Sequence, residues 1–249
     1  MLFRSTLRPG ETWMEHMARL ERHHTAKGGS DELRYNVVYR VLNAANHGVP
    51  QRRERVVFVG FRADLGIEWS FPEATHSLEA LLWEQVRTGD YWERHEIAKR
   101  DRVLDPRFRA RGMALLEKPA DKPWLTVRDA IGDLPDPELQ PELAAACLNH
   151  RFQGGARSYV GHTGSPLDEP AKTLKAGVHG VPGGENMLRR ADGSVRYFSV
   201  RESARLQTFP DKYRFHGSWT ESMRQLGNAV PVKLAQAVGE NVARHLTAA

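Results

Sequence analysis

Tyr35-Asn-Val-Val-Tyr-Arg-Val-Leu42 and Arg55-Val-Val-Phe-Val-Gly-Phe61 are two runs rich in β-branched and aromatic residues, and each reads as a strand. Between them lies Asn43-Ala-Ala-Asn-His-Gly-Val-Pro-Gln-Arg-Arg-Glu54, a polar loop punctuated by Gly48 and Pro50. Upstream, residues 13–24 predict a short amphipathic helix in which Trp13, Met17 and Leu20 recur on one face, and Lys27-Gly-Gly-Ser30 breaks it. The pattern opens an α/β arrangement in which a charged turn is carried on an apolar pair of strands.

From about residue 63 the texture changes. Prolines at 72, 106, 119, 123, 135, 137 and 141 interrupt a stretch rich in charge and tryptophan, with helical pieces expected at 77–87 and 126–132. Residues 154–196 are dense in glycine, Gly177, Gly180, Gly183 and Gly184 among them, which implies tight turns and close backbone approach. Short strands are expected at Ala171–Lys175 and Val195–Val200. A helix is expected at about 201–207, and a last one at about 231–246, with Pro231 in its first turn and Leu234, Val238, Val242 and His245 on one face.

The 249 residues carry a net charge of +5 and a single cysteine. The basic balance suits a nucleic-acid partner without requiring one. One cysteine excludes an intrachain disulfide and a Cys-rich zinc site, so a reducing cytoplasm is the expected compartment. No apolar run approaches the roughly 18 residues of a membrane span. His23, His24, His150, His162 and His179 match no metal-ligand spacing, and no metal is expected.

Three segments carry a resemblance. Gly48-Val-Pro-Gln-Arg-Arg-Glu-Arg-Val56, Ser199-Val-Arg-Glu-Ser-Ala-Arg-Leu-Gln-Thr-Phe-Pro-Asp211 and Arg224-Gln-Leu-Gly-Asn-Ala-Val-Pro231 resemble, in order, the eighth, ninth and tenth motifs of the bacterial DNA cytosine-5 methyltransferases. A lone Gln-x-Arg-x-Arg would say little; the ordered set is specific. Stretches 71–95 and 162–188 are also similar to one bacterial subgroup. The family's Phe-x-Gly-x-Gly cofactor loop, Pro-Cys nucleophile loop and Glu-Asn-Val segment do not occur in these residues. The resemblance therefore implies the C-terminal part of such an enzyme. Its fold would be an incomplete Rossmann-like methyltransferase domain (1–62) and a small, irregular α+β target-recognition domain with hinge (63–221). The tenth motif and final helix (222–249) would return to the catalytic domain.

The resemblance also implies a chemistry. C5 of cytosine is a poor nucleophile, and the family adds a cysteine thiolate at C6 of a flipped-out base before C5 takes the methyl of S-adenosylmethionine. On that scheme Arg55 donates to the base at O2, Arg53 braces the nucleophile loop or a phosphate, and Gln51 helps hold the site. In an extended segment these three project to one side. Gly227-Asn228-Ala229 would form a turn over the cofactor, so Asn228, Ala229 and Val230 are the expected S-adenosylmethionine edge, a partial site only. Lys172, Thr173, Leu174, Lys175, Arg189, Arg190, Arg201 and Arg205 are the expected contacts to double-stranded DNA. Cys147, in Ala144-Ala-Ala-Cys-Leu-Asn-His150, follows no proline and reads as packing. The expected partner is an N-terminal methyltransferase half or subunit bearing the nucleophile, with a cognate restriction endonuclease a further partner. An inactive remnant and a DNA-binding module without catalysis stay open as alternatives.

Overall fold

A computed structural model describes residues 6–26, 34–176 and 186–247. The break at Lys27–Ser30 and the glycines at 177, 180, 183 and 184 lie outside the described residues. In chain order the elements are α1 (Trp13–Thr25), β1 (Tyr35–Asn43), β2 (Glu54–Arg62), β3 (His76–Ser77), α2 (Leu78–Leu82), α3 (Asp90–Arg94), α4 (Pro106–Met113), β4 (Lys122–Pro123), α5 (Val127–Ile131), α6 (Pro141–Ala145), β5 (Ser165–Pro166), β6 (Met187–Arg189), β7 (Val195–Tyr197), α7 (Val200–Leu206), α8 (Trp219–Asn228) and α9 (Val232–Thr247). The fold is mixed α/β. The chain forms two compact units. One takes in the described residues of Met1–Leu42, Glu54–Glu73 and Ala235–Ala249; the other comprises Asn43–Arg53 and the described residues of Ala74–Leu234. The middle segment expected at 63–221 thus differs at both edges: residues to Glu73 stay with the strands, and α8 goes with the second unit.

In the first unit α1 starts at a capping box, with the Thr12 hydroxyl accepting from Glu15 N and the Glu15 carboxylate accepting from Thr12 N at 2.7 Å. Its basic last turn, Arg22, His23 and His24, opposes the helix dipole. Of the apolar face expected, Met17 and Leu20 are half-buried. Trp13 is exposed, and the buried residues are His16, Glu21 and Thr25. They can be buried because their polar groups are satisfied. Glu21 accepts from Arg40 Nε at 2.9 Å and from Phe71 N at 2.9 Å, and Trp69 N donates to Thr25 Oγ1 at 2.8 Å.

β1 and β2 pair with each other. Ala44 N donates to Arg53 O, and Ala63 N to Arg34 O, which makes the pair antiparallel. One face buries Val38, Leu42, Val59 and Phe61, with the Phe61 ring tilted against Trp69 and Trp69 edge-on to Phe71. The other face presents Tyr35, Val37, Tyr39, Val41, Val56 and Phe58, all exposed; Tyr39 and Phe58, 66% and 67% exposed, meet with ring centroids 5.4 Å apart. An antiparallel sheet with a solvated face ordinarily alternates apolar and polar residues. This one is apolar on both.

Among the described residues, the second unit is built of short elements around three apolar clusters. Val127, Ile131, Ala171, Leu174, Leu188, Phe198 and Leu206 form one; Val200, Ala204, Phe215, Met223 and Leu226 another; Leu81, Tyr91 and Trp92 the third. β3 pairs parallel with β4, and β5–β6–β7 form a small mixed sheet. The strand expected at Ala171–Lys175 is not one. Only Ala171 bridges, to Gln51, because the following amides bond side chains: Lys172 N to Ser165 Oγ, Leu174 N to Gln51 Oε1 and Lys175 N to Asn186 Oδ1. The turn expected at Gly227-Asn228-Ala229 is also corrected. Gly227 and Asn228 close α8, and only Ala229 leaves it, in an extended conformation. The signal for α8 was legible: Ser218 and Glu221 form a capping box, followed by Met223 and Leu226 at helical spacing.

Candidate functional site

The polar loop 43–53 is fixed at both ends. Asn43 caps the 3₁₀ turn Ala44–His47 through Ala45 N, and Gly48 adopts φ 73°, which a Cβ would strain while also meeting the His76 ring at 2.9 Å. Burial lowers the pKa of His47 and of His76 and keeps both toward the neutral form. The chain then runs extended through Gln51, Arg52 and Arg53 along the backbone of 171–174. Arg52 N donates to Ala171 O at 2.8 Å, and Thr173 Oγ1 donates to Arg52 O at 2.7 Å.

Gln51 is fully buried. Its Oε1 accepts from Leu174 N at 3.1 Å and its Nε2 donates to Leu206 O at 3.2 Å. The amide therefore ties α7 to the Thr173-Leu174 segment. Arg53 is also 0% exposed. Its guanidinium donates to Leu174 O at 2.9 Å, Gly227 O at 2.6 Å and Ala229 O at 2.9 Å. The expected contact with a phosphate is corrected here, because a guanidinium enclosed by backbone carbonyls is closed to an external anion. Arg55 differs. It is half-buried in the first unit, and its one hydrogen bond among the described residues is Nη1 to Glu54 O at 2.6 Å. That bond is local, so the guanidinium has no tertiary anchor to give up.

Asn228 and Val230 are exposed and Ala229 is half-buried. They can offer a side-chain amide and extended backbone to one edge of a ligand such as S-adenosylmethionine. Gly227 is buried against the backbone of 175–176, where an added Cβ would lie 2.3 Å from Ala176 N. Gly227→Ala is therefore expected to destabilise the chain by about 1–3 kcal/mol, the range for overpacking, read as a lower denaturant midpoint with unchanged slope. An unchanged midpoint would contradict this close approach.

The expected DNA contacts divide. Lys175 and Arg189 are exposed. Lys172 is half-buried with Nζ on Thr163 Oγ1 at 3.1 Å, which leaves further donors available. Arg190 pairs with Asp136 at 3.0 Å and Glu138 at 2.7 Å. The Thr173 hydroxyl is bonded to Arg52 and Leu174 is 1% exposed, so their role is to hold the segment. Two assignments fail. Arg201 is 2% exposed and donates to the carbonyls of Leu148, Pro210 and Tyr213, and burial lowers its pKa. Arg205 donates to Asp211 at 2.9 and 2.7 Å, to Asp133 and to Ala130 O, and the bond to Asp211 is the main cause raising its pKa. Both brace turns and present no free fork to DNA.

Sequence reasoning missed Asn186. Its Oδ1 accepts from Lys175 N and its Nδ2 donates to Lys175 O, each at 3.0 Å, so it clamps the exposed lysine's backbone. It ends the 168–186 segment expected to read DNA, but the sequence assigned it no role of its own. Also missed was a cavity of about 370 Å³ lined by Asp105, Arg128, Asp168, Glu169, Arg189 and others. Burial raises the Glu169 pKa there. Cys147 is half-buried after α6. Among the described residues no group of His, Cys, Asp or Glu is placed to hold a metal ion, and no helix is long and apolar enough to cross a membrane.

Comparison with known proteins gives consistent matches. A family model described as C-5 cytosine-specific DNA methylase matches residues 21–244. The Type II methyltransferase M.MthTI of Methanothermobacter thermautotrophicus is 29% identical over 86% of this chain and 58% of its own length. M.SacI of Streptomyces achromogenes is 31% identical over 92% of this chain and 56% of its own. M.NgoFVII of Neisseria gonorrhoeae is 33% identical over 82% and 50%. The chain thus spans about half the length of the curated relatives it matches.

Proposed function

Because the chain belongs to the C-5 cytosine-specific DNA methylase family, we propose that it is the base-positioning and DNA-reading part of an enzyme that methylates C5 of cytosine in duplex DNA, completed by a methyltransferase segment bearing the cysteine nucleophile. The observation that carries this reading is the outer face of β1 and β2. It exposes Tyr35, Val37, Tyr39, Val41, Val56 and Phe58 on the strand pair that also holds Arg55. An apolar sheet face is ordinarily packed against another layer. A second layer would bury each large side chain for about 1.5–3 kcal/mol.

In this reading Arg55 donates to O2 of a flipped cytosine and stabilises the negative charge that builds on the ring as a thiolate adds at C6. Asn228 bonds the methyl donor through its amide, with the backbone of Ala229 and Val230 beside it. S-adenosylmethionine supplies the methyl group. Lys172 and Lys175 neutralise DNA phosphates and Arg189 reaches toward the groove. Asn228→Ala is expected to raise KM for S-adenosylmethionine about tenfold with kcat within about threefold, the pattern of lost ground-state binding. Steady-state kinetics checks it, and a fall in kcat alone would be the wrong signature.

The test of the proposal is reconstitution. The chain is mixed with the part of M.SacI that it does not match, and methyl transfer to duplex DNA is measured. Turnover is expected in the mixture and not in either part. Phe58→Glu should abolish both association and turnover while leaving the circular dichroism of the chain unchanged, since Phe58 is exposed. Turnover by the chain alone would overturn the proposed dependence. Sequence-specific DNA binding without turnover in any mixture would instead favour a binding module, and neither activity would favour an inactive remnant.

A further inference from the structure

The geometry points to Arg53 as a positioning residue that couples the cofactor edge at 227–229 to the DNA-reading segment beginning at Thr173; this rests on the reading of those two segments given above. One guanidinium holds both. Nη1 donates to Leu174 O at 2.9 Å, and Nη2 to Gly227 O at 2.6 Å and Ala229 O at 2.9 Å. The group is planar and its donors sit at fixed angles, so the carbonyls it joins keep a fixed spacing. It is fully buried, with backbone carbonyls around it.

Other contacts make the junction stiff. Gln51 joins Leu174 N to Leu206 O, and Gln207 Nε2 donates to Leu226 O at 2.6 Å, so α7 is tied to the end of α8 as well. Gly227 has no room for a side chain against Lys175 and Ala176, which makes backbone face backbone at this point. Asn186 then grips Lys175 from its other side. A shift of 174–176 therefore moves the carbonyls of 227 and 229, and the reverse. Ordering one end by a ligand is felt at the other, which is the physical content of coupling between sites. Lysine in place of Arg53 keeps the charge and loses the fork.

Hydrogen exchange read by mass spectrometry tests this, with S-adenosylhomocysteine at millimolar concentration as the probe and the chain measured alone and with the complementary part of M.SacI. In the parent, exchange is expected to slow about tenfold both in peptides covering 226–230 and in those covering 173–176, a coupling of ordinary size. In Arg53→Lys the slowing should persist at 226–230 and fall below about twofold at 173–176, since the coupling free energy is lost. Slowing at 226–230 of the parent without slowing at 173–176 overturns the coupling and leaves the cofactor edge standing. Full transmission in Arg53→Lys overturns the assignment to Arg53. No slowing at 226–230 in either sample overturns the cofactor edge and the coupling together. Should Arg53→Lys fail to fold, the parent comparison decides.

Discussion

In the reconstituted enzyme Arg55→Ala is expected to lower the single-turnover rate of methyl transfer by about two to three orders of magnitude, the loss typical of one donor to a developing oxyanion. The size follows from where the charge goes. On the proposed scheme, addition at C6 leaves negative charge shared between N3 and O2, so a donor at O2 acts mainly in the transition state. Binding of DNA should change little, because the ground-state base carries no such charge. The fold should also tolerate the change, since Arg55 bonds only its neighbour's carbonyl. Arg55→Lys should fall between the two, keeping charge and losing the planar fork. Quenched-flow transfer of a labelled methyl group measures the rate. A rate unchanged in a folded, DNA-binding Arg55→Ala enzyme would remove Arg55 from the base.

The second large effect concerns stability. Glu202→Ala is expected to cost about 3–5 kcal/mol, the range for leaving one partner of a buried ion pair uncompensated. Arg196 and Glu202 lie 3% and 2% exposed in their side chains, joined by bonds of 2.7 and 2.6 Å. Glu202 also accepts from Ser199 N at 2.8 Å in the capping box of α7, so the substitution removes a cap as well as a counter-ion. Asp136, 3.2 Å from Arg196 Nε, softens the loss without replacing the fork-to-carboxylate geometry. Denaturant unfolding followed by tryptophan fluorescence reads the change. A loss under about 1 kcal/mol would mean that the pair behaves like a surface bridge.

What was legible in the sequence had local causes. The bounds of α1 and α9 and of both long strands follow from apolar residues at helical spacing, a proline at a helix start and runs of β-branched residues, and all four were found within a residue or two. What was not legible depended on distant partners. Glu21 looks like a surface residue of α1 until Arg40 and the Phe71 amide enclose it. Arg201 and Arg205 look like DNA contacts because charge is visible in sequence, whereas the carbonyls of 148, 210 and 213 that surround Arg201 are not. The segment 171–175 has the composition of a strand, but its amides found Gln51, Ser165 and Asn186 instead of a neighbouring strand. Gln51, Arg53 and Arg55 alternate in the sequence. Their division into two buried clamps and one residue without a tertiary anchor appears only in the fold.

The most direct measurement of the central claim, that this chain positions the base and reads DNA while the nucleophile comes from outside these 249 residues, is a covalent trap. Duplex DNA carrying 5-fluorocytosine at target sites is incubated with the reconstituted enzyme and S-adenosylmethionine. Fluorine at C5 cannot leave as the proton does, so the thiolate that added at C6 stays attached. Peptide mapping then locates the adduct. The account predicts the DNA on a cysteine of the complementary part, with adduct formation strongly reduced by Arg55→Ala in this chain. An adduct on Cys147, formed by this chain alone and lost in Cys147→Ser, would contradict it.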